Sequence, residues 1–98
     1  MNANKRADLL LKERRILGED RFVEVVIWRV PERIASSGHG FKYRLALVVD
    51  EACVVRFDNE AGKGDHKHIG AVETTYAFTT LEKLVSDFWQ AVEEWGRE

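Results

Sequence analysis

The chain contains 98 residues with a mass of 11.3 kDa, enough for one domain, because two cores of half this size would each bury too little surface. Its composition, 45% hydrophobic and 33% charged, is typical of a globular protein and excludes a disordered or low-complexity chain. A net charge of -2 and a pI of about 5.9 argue against a stable nucleic-acid-binding protein, which is usually strongly basic.

The distribution of charged and apolar residues along the chain further limits the classes of protein to which it could belong. Residues 1–49 hold ten Lys and Arg against six Asp and Glu, whereas residues 50–98 hold five against eleven, so a local basic cleft that binds RNA briefly is compatible with the sequence. No apolar run approaches the roughly 20 residues of a membrane span, and residues 1–6 lack the apolar stretch of a signal peptide. These features predict a cytoplasmic protein that does not bind a membrane.

Residues 1–98 are predicted to form a single domain whose first half is rich in β-strands. Residues 9–17 fit either a short helix or a strand, and the turn signal after them favours a hairpin with the next segment. Residues 22–30 form the clearest strand, since β-branched and aromatic side chains occupy both faces. Pro31 is expected to end this strand, and residues 31–40 are expected to form a loop.

Two further strands are predicted at residues 41–49 and 53–57, joined by a tight turn into an antiparallel hairpin. Cys53 lies in an apolar strand and is expected to be an inert core residue. As the only cysteine of the chain, it excludes an internal disulfide. Residues 59–76 show no hydrophobic periodicity and are rich in glycine and polar side chains, which predicts an irregular loop.

The C-terminal segment predicts an amphipathic helix. Thr79 and Glu82 have the spacing of an N-terminal capping box, and Gly96 is expected to end the helix. The fold class is therefore α+β, a small four-stranded antiparallel sheet with one C-terminal helix packed on it, in the order β-β-β-β-α. A core of this size also favours a partner, including a homodimer. The apolar stripe of the helix consists of Leu81, Leu84, Val85, Phe88, Trp89, Val92 and Trp95.

Residues 56–68 concentrate the side chains that carry chemistry. This segment holds three acids, two histidines, two lysines, one arginine and one asparagine within thirteen residues. Gly62 and Gly64 serve the turns of a loop, but the fold itself does not need a dense cluster of histidines and acids. Such a cluster on a loop beside a rigid sheet favours a functional site.

One interpretation of this segment is general acid–base cleavage of RNA. Histidine titrates near neutral pH, so His66 or His68 could take a proton from a 2′-hydroxyl while a second group protonates the leaving oxygen. Lys63, Arg44 and Arg56 would stabilise the charge that develops on the phosphate.

Two other interpretations remain open at this point. Asp58, Glu60 or Asp65 could join a histidine to hold a divalent metal such as Mg²⁺, although their spacing matches no established metal motif. Alternatively the segment only binds a ligand. A purely structural interpretation is that Arg56 and Asp58 form a simple cross-strand ion pair at the surface. The spacing of a P-loop is absent, which excludes a nucleotide triphosphate site of that type. His39, in a Ser/Gly-rich loop, is interpreted as structural.

Several motifs are informative as a set. They are EVVIWRVP at residues 24–31, KYRL at residues 42–45, DNEAGKGDHKH at residues 58–68, Glu73, and YAFT at residues 76–79. Together they resemble the TumE family of small bacterial proteins, the toxin half of a toxin–antitoxin pair. The resemblance extends from about Leu9 to Trp95, and the DNEAGKGDH run is its most specific part.

The resemblance implies a toxin that arrests growth unless a cognate helix-turn-helix antitoxin binds it. Because RNA cleavage is common among small toxins, analogy predicts a ribonuclease, with His66 as the acid–base residue and Asp65 orienting it or a metal. The sequence leaves open whether the protein needs no cofactor or a divalent metal. The predicted catalytic residues are His66, His68, Asp65, Lys63, Asp58 and Glu60, and the predicted substrate-binding residues are Arg44, Arg56 and Lys42.

Two alternatives belong to other classes of protein. The chain could be a non-enzymatic toxin or regulator that binds a protein through the apolar part of the helix near Trp89 and Trp95. It could also be a metal-dependent enzyme that modifies nucleotides, with Asp58 and Glu60 holding magnesium. Substitution of His66 separates catalysis from binding, because binding alone should survive the loss of this imidazole.

Overall fold

A computed structural model describes residues 6–60, 62 and 64–96. A six-stranded antiparallel sheet runs in sequence order, and one C-terminal helix packs on it. This architecture confirms the α+β class and the C-terminal helix, but the prediction of four strands is wrong. The elements are β1 (Asp8–Ile16), β2 (Arg21–Ile34), β3 (His39–Val49), β4 (Ala52–Asp58), β5 (His66–Ile69), β6 (Val72–Thr75) and α1 (Leu81–Trp95).

The two extra strands lie in the segment that was expected to be an irregular loop. β5 and β6 contain four residues each, too few to show a clear hydrophobic alternation, and polar side chains occupy most of their positions. β5 nevertheless pairs with β4 on one side and with β6 on the other. The ambiguous segment at residues 9–17 is also a strand, β1, which pairs with β2.

β2 continues past Pro31 to Ile34, so the expectation that proline ends this strand is wrong. Proline is tolerated because the pairing with β3 is interrupted between Arg29 and Ile34. The N–H that proline lacks is therefore not needed for a hydrogen bond between the strands. The hairpin turn between β3 and β4 contains Asp50 and Glu51, both with the positive φ that a two-residue turn needs in order to match the twist of the strands.

The core lies on one face of the sheet, between β2–β4 and α1. Burial of each large apolar side chain contributes about 1.5–3 kcal/mol to stability, and the helix supplies Leu84 and Phe88 to this layer. We call the opposite face of the sheet, where α1 does not pack, the open face. The remaining buried core residues are Val23, Val25, Ile27, Tyr43, Leu45, Leu47, Val55 and Phe57.

The expectation that Cys53 lies in the core is wrong. Cys53 is exposed, because the pairing of β3 with β4 shifts between Leu47 and Val48 and this bulge interrupts the alternation that would bury the thiol. Trp89 and Trp95 are half-buried and pack against the core. Exposed apolar side chains occur on β1, at Leu9, Leu10 and Leu11.

The boundaries of α1 differ from the prediction at one end. Thr80, not Thr79, is the N-cap, and its hydroxyl oxygen accepts the backbone N–H of Lys83 at 3.1 Å. This shift removes the capping box predicted with Glu82, while the end of the helix before Gly96 is confirmed. No helix formed by the described residues is long and apolar enough to cross a lipid bilayer.

Candidate functional site

Strand pairing places four polar side chains side by side on the open face. Asp58 lies opposite His66 and Arg56 lies opposite His68 in the ladder between β4 and β5. Since alternate residues of a strand share a face, the two pairs project from the same side of the sheet. We call these four residues the polar cluster. Glu73 of β6, opposite His68, lies at its rim.

The side chains of the polar cluster are in direct contact. His66 Nε2 lies 3.0 Å from Asp58 Oδ1, and Arg56 Nη2 lies 2.7 Å from His68 Nε2. Arg56 also connects the two pairs, since its Nε lies 3.3 Å from Asp58 Oδ2. Glu73 Oε2 is 3.6 Å from His66 Nε2 and 3.5 Å from His68 Nε2. Asp58 and His66 are buried, although they face the side of the sheet without a helix.

The backbone fixes the proton arrangement of His66. Its Nδ1 lies 3.0 Å from the carbonyl oxygen of Gly64, which can only accept a hydrogen bond, so Nδ1 carries the hydrogen. In the neutral ring, Nε2 then points a lone pair at Asp58 Oδ1. Although these two atoms are close, Asp58 Oδ1 has no hydrogen-bond partner and is buried. Such a pair of facing acceptors is stable only when a proton or a metal ion lies between them.

Two residues of the preceding turn hold this arrangement in place. Gly64 has a φ of +85°, and a Cβ there would lie 2.8 Å from the carbonyl oxygen of Ser36, so only glycine fits. The buried side chain of Asn59 accepts the backbone N–H of Tyr43 and donates to the carbonyl oxygen of Phe41. These contacts tie the end of β4 to β3.

Asp65 does not orient His66, contrary to the expectation from sequence. Adjacent residues point to opposite faces, and the Asp65 carboxylate lies on the helix side, where Oδ2 accepts from Tyr43 Oη at 2.6 Å and from His39 Nε2 at 2.8 Å. His39 Nδ1 accepts the backbone N–H of Phe41 at 3.1 Å, which places the ring hydrogen on Nε2. These contacts agree with the structural interpretation of His39. Burial, together with the hydrogen bond to Asp65, raises the pKa of Tyr43.

The remaining predicted residues are dispersed. Arg44 faces Asp58 across the β3–β4 ladder and lines a groove of about 410 Å³ on the open face. Lys42 and Glu60 lie together along a second groove of about 480 Å³, and Glu60 is exposed beyond the end of β4. Lys63 falls outside the described residues. Of the nine predicted residues, the polar cluster unites Arg56, Asp58, His66 and His68.

Sequence reasoning missed two cations beside the site. Lys12 and Arg14 line the same groove as Arg44, together with Glu24. Their alternate positions on β1, paired with Val26 and Glu24 of β2, could have indicated a shared face. The ambiguity of that segment between helix and strand concealed this signal.

The polar cluster also contains a ligand set for a metal. Asp58, His66 and His68 each offer one ligand atom, and these atoms all lie within 4.8 Å of one another. Imidazole nitrogens and a carboxylate oxygen are the donors that transition-metal sites commonly use.

Comparison with known proteins identifies the family. A family model described as Toxin TumE matches residues 6–96, a range that includes every member of the polar cluster and the turn that precedes β5. No curated protein and no solved structure shows significant similarity to the chain. Because the match extends over almost the entire sequence, the chain belongs to the TumE family of toxins.

Proposed function

We propose that this toxin cleaves RNA at the polar cluster. The observation that carries the proposal is the contact between His66 and Asp58, in which two buried acceptors face each other beside the Arg56 guanidinium. Phosphodiester cleavage needs a group that activates the attacking oxygen and cations that stabilise the charge on the phosphate. The cluster offers both kinds of group within a few ångströms.

The charges around the cluster support a polyanionic substrate. The groove beside it on the open face contains the cations Lys12, Arg14 and Arg44, against two acids, Glu13 and Glu24. Glu24 forms a 3.8 Å ion pair with Arg14. Arg44 and Arg56 flank Asp58 on either side of β4. An RNA strand lying in this groove would place its phosphates against arginines and reach the cluster at its end.

The biological part of the proposal follows from the family. A toxin of this kind would act on RNA in the cytoplasm and arrest growth, and a cognate helix-turn-helix antitoxin would neutralise it. Bound antitoxin would have to cover the open face or prevent RNA from entering the groove.

One observation favours a second candidate, a toxin that acts by binding a protein without chemistry. An apolar groove of about 590 Å³ lies between β1 and the start of α1, on the side of the molecule away from the polar cluster. Its apolar lining consists of Leu10, Leu11, Ile27, Leu81 and Val85. An exposed apolar groove of this kind is a common feature of protein-binding surfaces.

Induced expression in bacteria of three variants separates the two candidates. We expect His66→Ala to abolish growth arrest and to reduce RNA cleavage by about 10²–10⁴-fold, as removal of a central catalytic group does. Lys67→Ala is the matched control, because Lys67 lies on the same strand but on the helix side, near the Phe57 ring. Leu11→Glu introduces a charge into the apolar groove.

Soluble protein level and melting temperature are matched before the variants are compared. The ribonuclease proposal requires that Lys67→Ala and Leu11→Glu still cleave RNA while His66→Ala does not. If His66→Ala arrests growth like the wild type and Leu11→Glu does not, the protein-binding candidate replaces the ribonuclease proposal.

A further inference from the structure

We infer that the polar cluster is a binding site for a divalent transition metal, with Asp58, His66 and His68 as its ligands. The inference extends the proposed function by adding a metal to the same site. Only the effect of the metal on RNA rests on that proposed function. Binding of the metal can be established by itself.

The spacing of the first two ligand atoms fits a metal ion. Bonds from Zn²⁺ to imidazole nitrogen and carboxylate oxygen are about 2.0–2.2 Å long, so two ligands of a tetrahedral site lie roughly 3.3 Å apart. His66 Nε2 and Asp58 Oδ1 are 3.0 Å apart. The ligand atom of His68 lies within 4.8 Å of both, and a rotation of its half-buried side chain would complete the set.

The surroundings of His66 are those of a metal ligand. A histidine that binds a metal through one nitrogen usually donates its other N–H to a carbonyl or carboxylate, which fixes the ring. The Gly64 carbonyl takes this part, with His66 Nδ1 at 3.0 Å. Nε2 then faces Asp58 Oδ1, which has no hydrogen-bond partner, and the Asp58 side chain is only 9% exposed. Two lone pairs converge where a proton or a metal ion is needed.

Arg56 does not remove this need. Its guanidinium approaches the other carboxylate oxygen, Asp58 Oδ2, at 3.3 Å and leaves Oδ1 without a partner. Arg56 Nη2 does contact His68 Nε2 at 2.7 Å, so it competes for the lone pair that a metal would use. The Arg56 side chain is 31% exposed and can turn towards solvent, where it would be available to a phosphate. Removal of Arg56 should therefore strengthen metal binding.

The types of ligand atom indicate which metal ion the site would prefer. Two imidazoles and one carboxylate favour Zn²⁺ or a neighbouring first-row ion, whereas Mg²⁺ prefers oxygen ligands and retains several waters. The magnesium considered from sequence is thus the poorer match. Three protein ligands leave a tetrahedral ion one further position, where a phosphate oxygen could bind.

Titration of the chelator-treated full chain with ZnCl₂, followed by calorimetry, tests the inference. The experiment uses a Cys53→Ser background, because the exposed thiol could bind zinc independently. We expect one Zn²⁺ per chain, at least tenfold weaker binding in Asp58→Asn and His66→Gln, unchanged binding in Lys67→Ala, and several-fold tighter binding in Arg56→Gln. Circular dichroism verifies that each variant is folded.

Lack of stoichiometric binding overturns the inference, as does equal binding by the wild type and a folded His66→Gln variant. If a ligand variant fails to fold, the tighter zinc binding expected of Arg56→Gln still tests the inference. Zinc binding that depends on His66 in a protein that does not cleave RNA supports the metal site and refutes the proposed function. Cleavage that persists in EDTA by a chain that binds no zinc supports the function and refutes the metal site.

Discussion

Two histidine–aspartate pairs among the described residues lie on opposite faces of the sheet, although Asp65 of one pair and His66 of the other are neighbours in sequence. On the helix side, His39 Nε2 lies 2.8 Å from Asp65 Oδ2, and on the open face His66 Nε2 lies 3.0 Å from Asp58 Oδ1. The first pair is saturated, because Asp65 also accepts from Tyr43 and the His39 ring stacks on Phe78 at a centroid distance of 3.8 Å.

The second pair is incomplete. Its carboxylate oxygen has no hydrogen-bond partner, and the only donor nitrogen of the neutral His66 ring is already used by Gly64. A distance near 3 Å between histidine and aspartate therefore says little about function by itself. The hydrogen bonds made by the other atoms of each pair indicate which pair supports the fold and which one needs a ligand.

The largest difference between the pairs should appear in stability. We expect Asp65→Ala to lower the free energy of unfolding by about 3–5 kcal/mol, because it leaves the buried Tyr43 hydroxyl and the His39 N–H without an acceptor. Asp58→Ala should cost less, about 1–2 kcal/mol, since Oδ1 makes no hydrogen bond and the loss is limited to the contacts with His66 and with the partly exposed Arg56. Urea denaturation measures both values, and equal costs would contradict the distinction.

Gly64 connects the two pairs and offers a second test. Gly64→Ala should cost about 2–3 kcal/mol, because the new Cβ would meet the Ser36 carbonyl oxygen at 2.8 Å in a backbone with positive φ. It should also displace both His66 and Asp65. Gly62→Ala is the matched control, since its φ is +75° but nothing lies within 4 Å of the added methyl group, and it should cost about 1 kcal/mol.

Thermal denaturation of the two glycine variants, with and without added zinc, separates strain from loss of the site. A similar melting temperature for Gly64→Ala and Gly62→Ala would show that the contact with Ser36 relaxes freely.

The last expected effect appears only at alkaline pH and comes from Tyr43 of the saturated pair and from Tyr76. Burial and the hydrogen bond to Asp65 raise the pKa of Tyr43, and burial with the hydrogen bond to Asp87 raises that of Tyr76. Below a pH of roughly 10 both hydroxyls are protonated in the folded and unfolded chain, so this contribution is fully present. Above it the unfolded chain loses protons that the folded chain keeps, and stability falls by about 1.4 kcal/mol per pH unit for each tyrosine.

Urea denaturation between neutral and alkaline pH measures this slope. Tyr43→Phe should roughly halve it, and an unchanged slope would mean that the Tyr43 proton is not held by Asp65.

The part of the fold that sequence predicted correctly depends on long apolar segments. β2, β3 and α1 contain periodic side chains that only one layered arrangement buries, so these elements and the C-terminal position of the helix were predictable. β5 and β6 were not, because their four residues are mostly polar and are held by pairing with neighbours. β1 lacks a clear alternation because most of its side chains are exposed, including its leucines.

For the site, amino-acid composition identified the segment that contains it, but not which side chains of that segment contact one another. The density of histidines and acids correctly drew attention to residues 58–68, yet it could not separate Asp58 from Asp65. Knowing that residues 66–69 form a strand would have been sufficient, because alternation places Asp65 and His66 on opposite faces. The hydrogen bond between His66 and the Gly64 carbonyl could not be predicted from sequence. Every residue has a backbone carbonyl, and only the backbone conformation determines which one points at the imidazole.

The order of the strands has a consequence for how the site comes into existence. Every strand pairs with its neighbour in sequence, so the polar cluster is completed within residues 52–75 by two consecutive hairpins. Pairing between nearby residues costs little loop-closure entropy and gives a low contact order, which favours fast folding compared with β-sandwiches of similar length. The cluster can therefore assemble early during folding, without waiting for distant parts of the chain to meet.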